Sequence, residues 1–306
     1  KRLKVTRQGT EGTGNKPMKQ RIITGIFIAA AYIATILGTV LWNPVVFDVF
    51  AVFIMFAAGY EVLRCTEAKF APTVKGFYMV AVALEYIAYK AVMHYLGLYY
   101  ALAAVMLLTV IFAVIVLNFT MFSKKYEVKG GAATAFVLFY PALPLFIMLS
   151  LAYLGKNLAS GAVIMVFLST SLADTMAYFV GSALKGPKFC PEISPKKTVA
   201  GAVGGIAGGL FAGLAMCAVG SFSIGGMTMM FDSPWADVLN WIIIGIGSAV
   251  FCEMGDLLSS YVKRVCGIKD FGNVLAGHGG FMDRVDGLII SSVFIFAYMS
   301  VVSFLG

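Results

Sequence analysis

The chain has 306 residues, of which 60% are hydrophobic and 12% charged, and its mean hydropathy is +0.90. Soluble domains carry roughly 25% charged residues, so this composition excludes a water-soluble fold and points to an all-α polytopic membrane protein. The formal charge of +8 does not indicate nucleic acid, because the basic residues form short clusters between apolar runs and no stripe interleaved with aromatics.

Residues 1–17, KRLKVTRQGTEGTGNKP, are polar and aperiodic, whereas Met18 opens MKQRIITGI in the manner of a natural start. The first seventeen read as an appended remnant or a disordered tail, outside the fold. A helix needs about 20 mostly apolar residues to cross a bilayer. On that measure nine spans are expected, at 22–41, 45–63, 74–93, 98–119, 131–154, 160–184, 199–221, 237–258 and 287–305. The first lacks a small-residue cleavage site and is followed by further spans, so it is a transmembrane helix and not a signal peptide. Glu61 and Glu85 interrupt the second and third spans.

The connections after spans 2, 4, 6 and 8 carry Arg64, Lys69 and Lys75; Lys124, Lys125 and Lys129; Lys185, Lys188, Lys196 and Lys197; and Lys263, Arg264, Lys269 and Arg284. The alternate connections offer only Lys156 and, at a boundary, Lys90. By the positive-inside rule the N-terminus is cytoplasmic and the C-terminus outside, which nine spans allow. The long connections 185–198 and 259–286 then face the cytoplasm and can reach soluble nucleotides. The outer connection 222–236, with Asp232 and no basic residue, reads as a lid or spacer. The five cysteines are an odd number without a CxxC pair, and they read as small apolar fillers. His94 stands near an outer boundary and reads as bland.

Polar chemistry concentrates in three stretches. In span 6, Ser171, Asp174 and Tyr178 recur at i, i+3 and i+7 and share a helix face. An ionised Asp inside a span costs about 2.5–3.5 kcal/mol, so Asp174 faces a cavity or a partner; the blander reading is a packing hydrogen bond between helices. In CPEISPKKTVAGAVGGIAGG, Pro191 and Pro195 break the chain before Ser194, Lys196, Lys197 and Thr198 meet a helix start. Two lysines at a helix N-terminus suit phosphate, although both also serve as positive-inside markers, and the glycines that follow also allow close helix packing.

The third stretch runs CEMGDLLSSYVKRVCGIKDFGNVLAGHGGFMDRVDG. If span 8 stays helical to its cytoplasmic end, Glu253, Asp256, Ser260, Lys263 and Arg264 form one stripe of acids followed by bases. Asp283 and Asp286 recur three residues apart at the start of span 9. Such a set suits chemistry between two phosphates. Carboxylates from separate segments hold Mg²⁺, bases neutralise the remaining oxygens, and glycines admit backbone N–H groups. No nucleophilic side chain is required. His278, within GHGG, is a candidate phosphate ligand or proton relay.

Ser260-Tyr261-Val262-Lys263-Arg264, then Lys269-Asp270, then His278-Gly279-Gly280-Phe281-Met282-Asp283-Arg284-Val285-Asp286 resemble the signature of the phosphatidate cytidylyltransferase, or CDP-diacylglycerol synthase, family. Ser194-Pro195-Lys196-Lys197-Thr198, and Asp174 with Tyr178, resemble that family's other recurring segments; the motif-bearing part covers about 170–290.

The resemblance implies attack of phosphatidate on the α-phosphorus of CTP, giving CDP-diacylglycerol and pyrophosphate at the cytoplasmic face of the inner membrane. It implies Mg²⁺, with room for a second cation, on Asp256 and Asp283. It assigns catalysis to Asp256, Asp283, Lys263 and Lys197. Substrate binding falls to Ser194, Lys196, Thr198, Ser260, Arg264, Lys269, Asp270, His278, Gly279, Gly280, Arg284, Asp286, Asp174 and Tyr178. It further implies a homodimer, with residues 18–155 as scaffold and dimerisation helices and 156–306 as the catalytic part.

Two positions depart from the family pattern: Val199 and Ala200 follow the Ser-Pro-Lys-Lys-Thr segment where a Glu is usual at the second place, and Ala276 stands where a proline is usual. The competing readings are a CTP-dependent polyprenol or lipid kinase that transfers the γ-phosphoryl group, and a secondary transporter with Asp174 and Asp256 in an ion path. Transporters tend to pair broken helices in two related halves, whereas the polar groups here crowd into 171–286.

Overall fold

The computed structural model describes residues 18–155, 158–221, 233–275 and 277–305. The expectations for 1–17, Lys156, Asp232 with most of the outer connection, and Ala276 lie outside the described residues. Among the described residues nine helices are long and apolar enough to cross a membrane.

The first four are α1 (Met18–Leu41), α2 (Val45–Lys69), α3 (Lys75–Leu96) and α4 (Leu98–Phe122). The fifth span is interrupted: α5 (Val128–Val137) and α6 (Leu143–Ser150) meet at a kink within Leu138–Ala142, where Tyr140 leaves the helical conformation. Pro141 follows it there; it has no N–H to continue the ladder, and the residue before a proline is disfavoured in the helical region. Then come α7 (Ala159–Leu184), strands β1 (Lys188–Cys190) and β2 (Ser194–Thr198), α8 (Val199–Ser221), α9 (Pro234–Cys266) and α10 (Met282–Leu305).

The fifth span is the most enclosed, with 72% of its apolar window buried, and α1 the least, at 6%. The core is therefore built around α5 and α6, where Phe146 and Leu149 pack with Phe47 and Met55 of α2, Tyr78 and Tyr89 of α3 and Met165 of α7. Acids inside the N-terminal spans are paired, as desolvation requires. Lys90 Nζ donates to Asp48 at 2.8 Å and to the Tyr153 hydroxyl at 2.9 Å, and Thr109 donates to Glu85 at 2.9 Å. Lys90 is thus a partner of Asp48 within α3 and no free boundary marker.

The C-terminal helices pack through small residues. A Cβ at Gly209 of α8 would run into the carbonyl of Gly245 in α9, and the reverse also holds. Backbone touches backbone there, the device that replaces hydrophobic attraction inside a bilayer.

Three differences from the sequence expectation bear on the polar stretches, each for a local reason. The connection 185–198 is not a plain loop: β1 and β2 pair antiparallel, Lys188 opposite Thr198 and Cys190 opposite Ser194. Span 8 runs to Cys266, eight residues past the expected end, and closes where Gly267 takes a left-handed conformation and donates its N–H to the Arg264 and Lys263 carbonyls. The acid-then-base stripe therefore remains on a continuous helix. Span 9 starts at Met282 and not at 287, which places Asp283 and Asp286 inside its first two turns. Its start is fixed by Asp283 itself, whose Oδ2 accepts the N–H of Gly280 at 3.0 Å, and an acid there also complements the helix dipole.

Candidate active site

The three polar stretches converge on one cavity of about 940 Å³. Asp174 and Tyr178 come from α7; Ser194, Lys196, Lys197 and Thr198 from β2; Asp256, Ser260 and Lys263 from α9; Asp270 from the next loop; and Asp283, Arg284 and Asp286 from α10. Small-molecule sites typically measure about 300–1,000 Å³, so the space is large enough for a sizeable small-molecule ligand.

Two lysines organise the carboxylates. Lys197 Nζ lies 2.5 Å from Glu253 Oε2 and 3.0 Å from Asp256 Oδ2, bridging β2 to α9. Burial alone lowers the Lys197 pKa, but the carboxylates of Asp256 and Glu253 outweigh it, and the net value rises above a lysine's ordinary range. This ammonium stays charged through neutral pH. Lys263 Nζ lies 2.8 Å from Asp283 Oδ1 and 3.7 Å from Asp286 Oδ2, bridging α9 to α10. Asp283 also accepts the N–H of Phe271 at 2.8 Å and of Gly280 at 3.0 Å through Oδ2. Three donors fix this 3% exposed side chain.

Lys185, Lys188, Lys196 and Arg284 also line the cavity, are exposed, and make no ion pair among the described residues. They are the cations available to an anionic ligand. Thr198 lines the cavity and its Oγ1 accepts the Gly201 N–H at 3.0 Å, which caps α8.

Several expected site residues lie just outside the cavity lining. Arg264 donates to the carbonyls of Ile193 and Ile268, at 3.1 and 3.0 Å, and so fastens the β-hairpin tip to the end of α9. Lys269 is exposed nearby. His278 forms a tight turn, its N–H bonding the Leu275 carbonyl at 2.8 Å, and its ring comes within ordinary contact of where a side chain on Gly25 of α1 would stand. Leu275 and Gly279 close that turn as a bridge. Gly280 contributes its N–H to Asp283.

The expected site set omitted Glu253, Tyr32, Lys185 and Lys188, all of which line the cavity. Glu253 stood one turn before Asp256 on the same stripe, so its signal was present. Tyr32 had none: it is one of fourteen tyrosines, and it reaches the site by donating to the Arg284 carbonyl at 3.0 Å.

Among the described residues no group of three or more His, Cys, Asp or Glu side chains is arranged to hold a metal alone. That donor set still fits Mg²⁺, which takes one or two carboxylates and completes its shell with substrate phosphates and water. Lys197 engages Oδ2 of Asp256, and a carboxylate offers about four acceptor positions, so Asp256 retains capacity for a cation.

The sequence profile of the cytidylyltransferase family matches residues 19–302. A phosphatidate cytidylyltransferase of Aquifex aeolicus is 30% identical over 169 residues, which is 55% of this chain and 57% of that protein. One of Brucella abortus is 34% identical over 172 residues, 56% of this chain and 58% of its own. One of Mycobacterium tuberculosis is 33% identical over 162 residues, 53% of this chain and 45% of its own. The matched stretch spans about half the length of these curated relatives.

Proposed function

Because the chain belongs to the cytidylyltransferase family, we propose that it is a membrane nucleotidyltransferase that joins CTP and phosphatidate into CDP-diacylglycerol and releases pyrophosphate. The observation that carries this reading is the cavity in which Lys197 and Lys263 each bridge two carboxylates while four further lining cations have no ion pair among the described residues. The three relatives bear the name of that activity.

In this reading the lipid phosphate, already an anion, attacks the α-phosphorus of CTP in line with the departing pyrophosphate. The barrier is mostly charge repulsion and alignment. Lys185, Lys188, Lys196 and Arg284 neutralise the polyphosphate, and Lys197 and Lys263 hold the acids in fixed positions. Asp256 and Asp283 would hold a divalent cation, Mg²⁺ with room for a second ion, which when bound neutralises the phosphate oxygens. Asp174, Tyr178, Ser194, Ser260, Asp270 and Asp286 complete the substrate contacts. The β-hairpin and the loop before α10 belong to the side that the positive-inside rule assigns to the cytoplasm, where CTP is found. A homodimer is the assembly.

The purified protein in detergent, given CTP, phosphatidate and Mg²⁺, is expected to release pyrophosphate and CDP-diacylglycerol in equal amounts. Release of CDP with a newly phosphorylated alcohol would instead identify a kinase, and solute flux without chemistry in proteoliposomes a transporter.

A further inference from the structure

The loop before α10 is held by a helix from the other end of the chain. Glu61 of α2 is 6% exposed, and its Oε2 accepts the N–H of Met282, the first residue of α10, at 2.9 Å. A Cβ at Gly280 or at Gly272 would overlap the Glu61 carboxylate. The loop can therefore close on that carboxylate only because both positions lack a side chain. One turn further along α2, Cys65 Sγ meets the Phe271 carbonyl at 3.1 Å. Phe271 and Gly280 are the two residues whose N–H groups Asp283 accepts. Glu61 and Asp283 thus both hold this loop through its backbone N–H groups, one carboxylate from each half of the chain.

We infer that Glu61 is a positioning residue for the transfer reaction, fixing the loop from Phe271 to Met282 so that Asp283 keeps one orientation at the cavity wall. Glu61 does not line the cavity and acts through backbone N–H groups alone. Its role in the transfer reaction rests on the function proposed above; its grip on the loop does not. A charged or amide oxygen at this place can accept the Met282 N–H, so Gln preserves the contact, whereas Ala removes the acceptor that α2 offers to that N–H.

The test compares wild type, Glu61→Ala and Glu61→Gln as full chains in detergent, by hydrogen–deuterium exchange and by steady-state kinetics. Glu61→Ala is expected to speed amide exchange in residues 271–283 about tenfold while α7 and α9 keep their protection. Its kcat falls about 100-fold, as small misplacements of a reacting group do, and the KM for CTP stays within about threefold. Glu61→Gln restores loop protection and most of kcat. Unchanged loop exchange in Glu61→Ala overturns the inference, as does a Glu61→Gln loop that is protected while kcat remains as low as in Glu61→Ala. If Glu61→Ala does not fold, the Gln variant decides: a protected loop with at least about a tenth of wild-type kcat supports the inference, and a loosened loop or lower kcat contradicts it. If wild type makes no CDP-lipid, the functional reading fails, and the exchange data still decide whether Glu61 holds the loop.

Discussion

Lys263 Nζ lies 2.8 Å from Asp283 Oδ1, an ion pair that ties α9 to α10 at the cavity wall. Its side chains are 11% and 3% exposed, so removing one partner leaves a charge in a poorly solvated place. Breaking such a pair typically costs about 3–5 kcal/mol. Lys263→Met is accordingly expected to lower the melting temperature clearly and to abolish turnover, read by thermal unfolding and pyrophosphate release. Asp283→Asn keeps the shape and the bonds to Phe271 and Gly280 while losing the charge. It is expected to fold with smaller loss of stability and to be at least about 100-fold slower.

The nine spans were legible because a run of apolar residues is a local property, and its length alone decides whether it crosses a bilayer. The acid-then-base stripe of α9 was legible for a related reason, since helical spacing fixes which residues share a face. Glu61 was not. Its partner is 221 positions away, and from sequence it is only an acid that interrupts a span. The β-hairpin escaped notice because its strands are three and five residues long, too short for alternation to register, and one contains Pro195. Glu253 lies on the legible stripe, but its place in the site depends on a bond to Lys197 that links α9 to a strand whose geometry the sequence does not show.

Lys197 divides its charge between Glu253 and Asp256. Glu253→Gln leaves the ammonium to Asp256 alone, where it would compete with the proposed cation. The concentration of Mg²⁺ giving half-maximal rate is expected to rise about three- to tenfold with little change in the KM for CTP. A titration of rate against Mg²⁺ measures this directly.

The raised pKa of Lys197 gives a pH signature. Because the folded value exceeds the unfolded value of about 10.4, its contribution to stability is fully present below that pH and is lost as pH rises through the folded value. The melting-temperature gap between wild type and Lys197→Met should therefore stay constant from about pH 7 to about pH 9 and shrink only above about pH 10.4. A gap that closes between pH 7 and 9 would mean that Lys197 loses its proton in the physiological range.

Lys185 and Lys188 are exposed and without an ion pair among the described residues. The double variant Lys185→Ala/Lys188→Ala should raise the KM for CTP about three- to tenfold at low salt, leave kcat nearly unchanged, and lose its difference from wild type as ionic strength screens exposed charges. Initial rates at several salt concentrations separate this from a structural defect, which salt would not erase.

In the proposed reaction the groups gathered in the cavity turn the α-phosphorus of CTP toward the lipid. CTP labelled at the α-phosphorus and CTP labelled at the γ-phosphorus, each incubated with the protein, phosphatidate and Mg²⁺, distinguish the outcomes in one extraction. Label is expected to enter the lipid phase from the α-position only, with pyrophosphate in the aqueous phase. Label entering the lipid from the γ-position, or from neither, would contradict the proposed reaction.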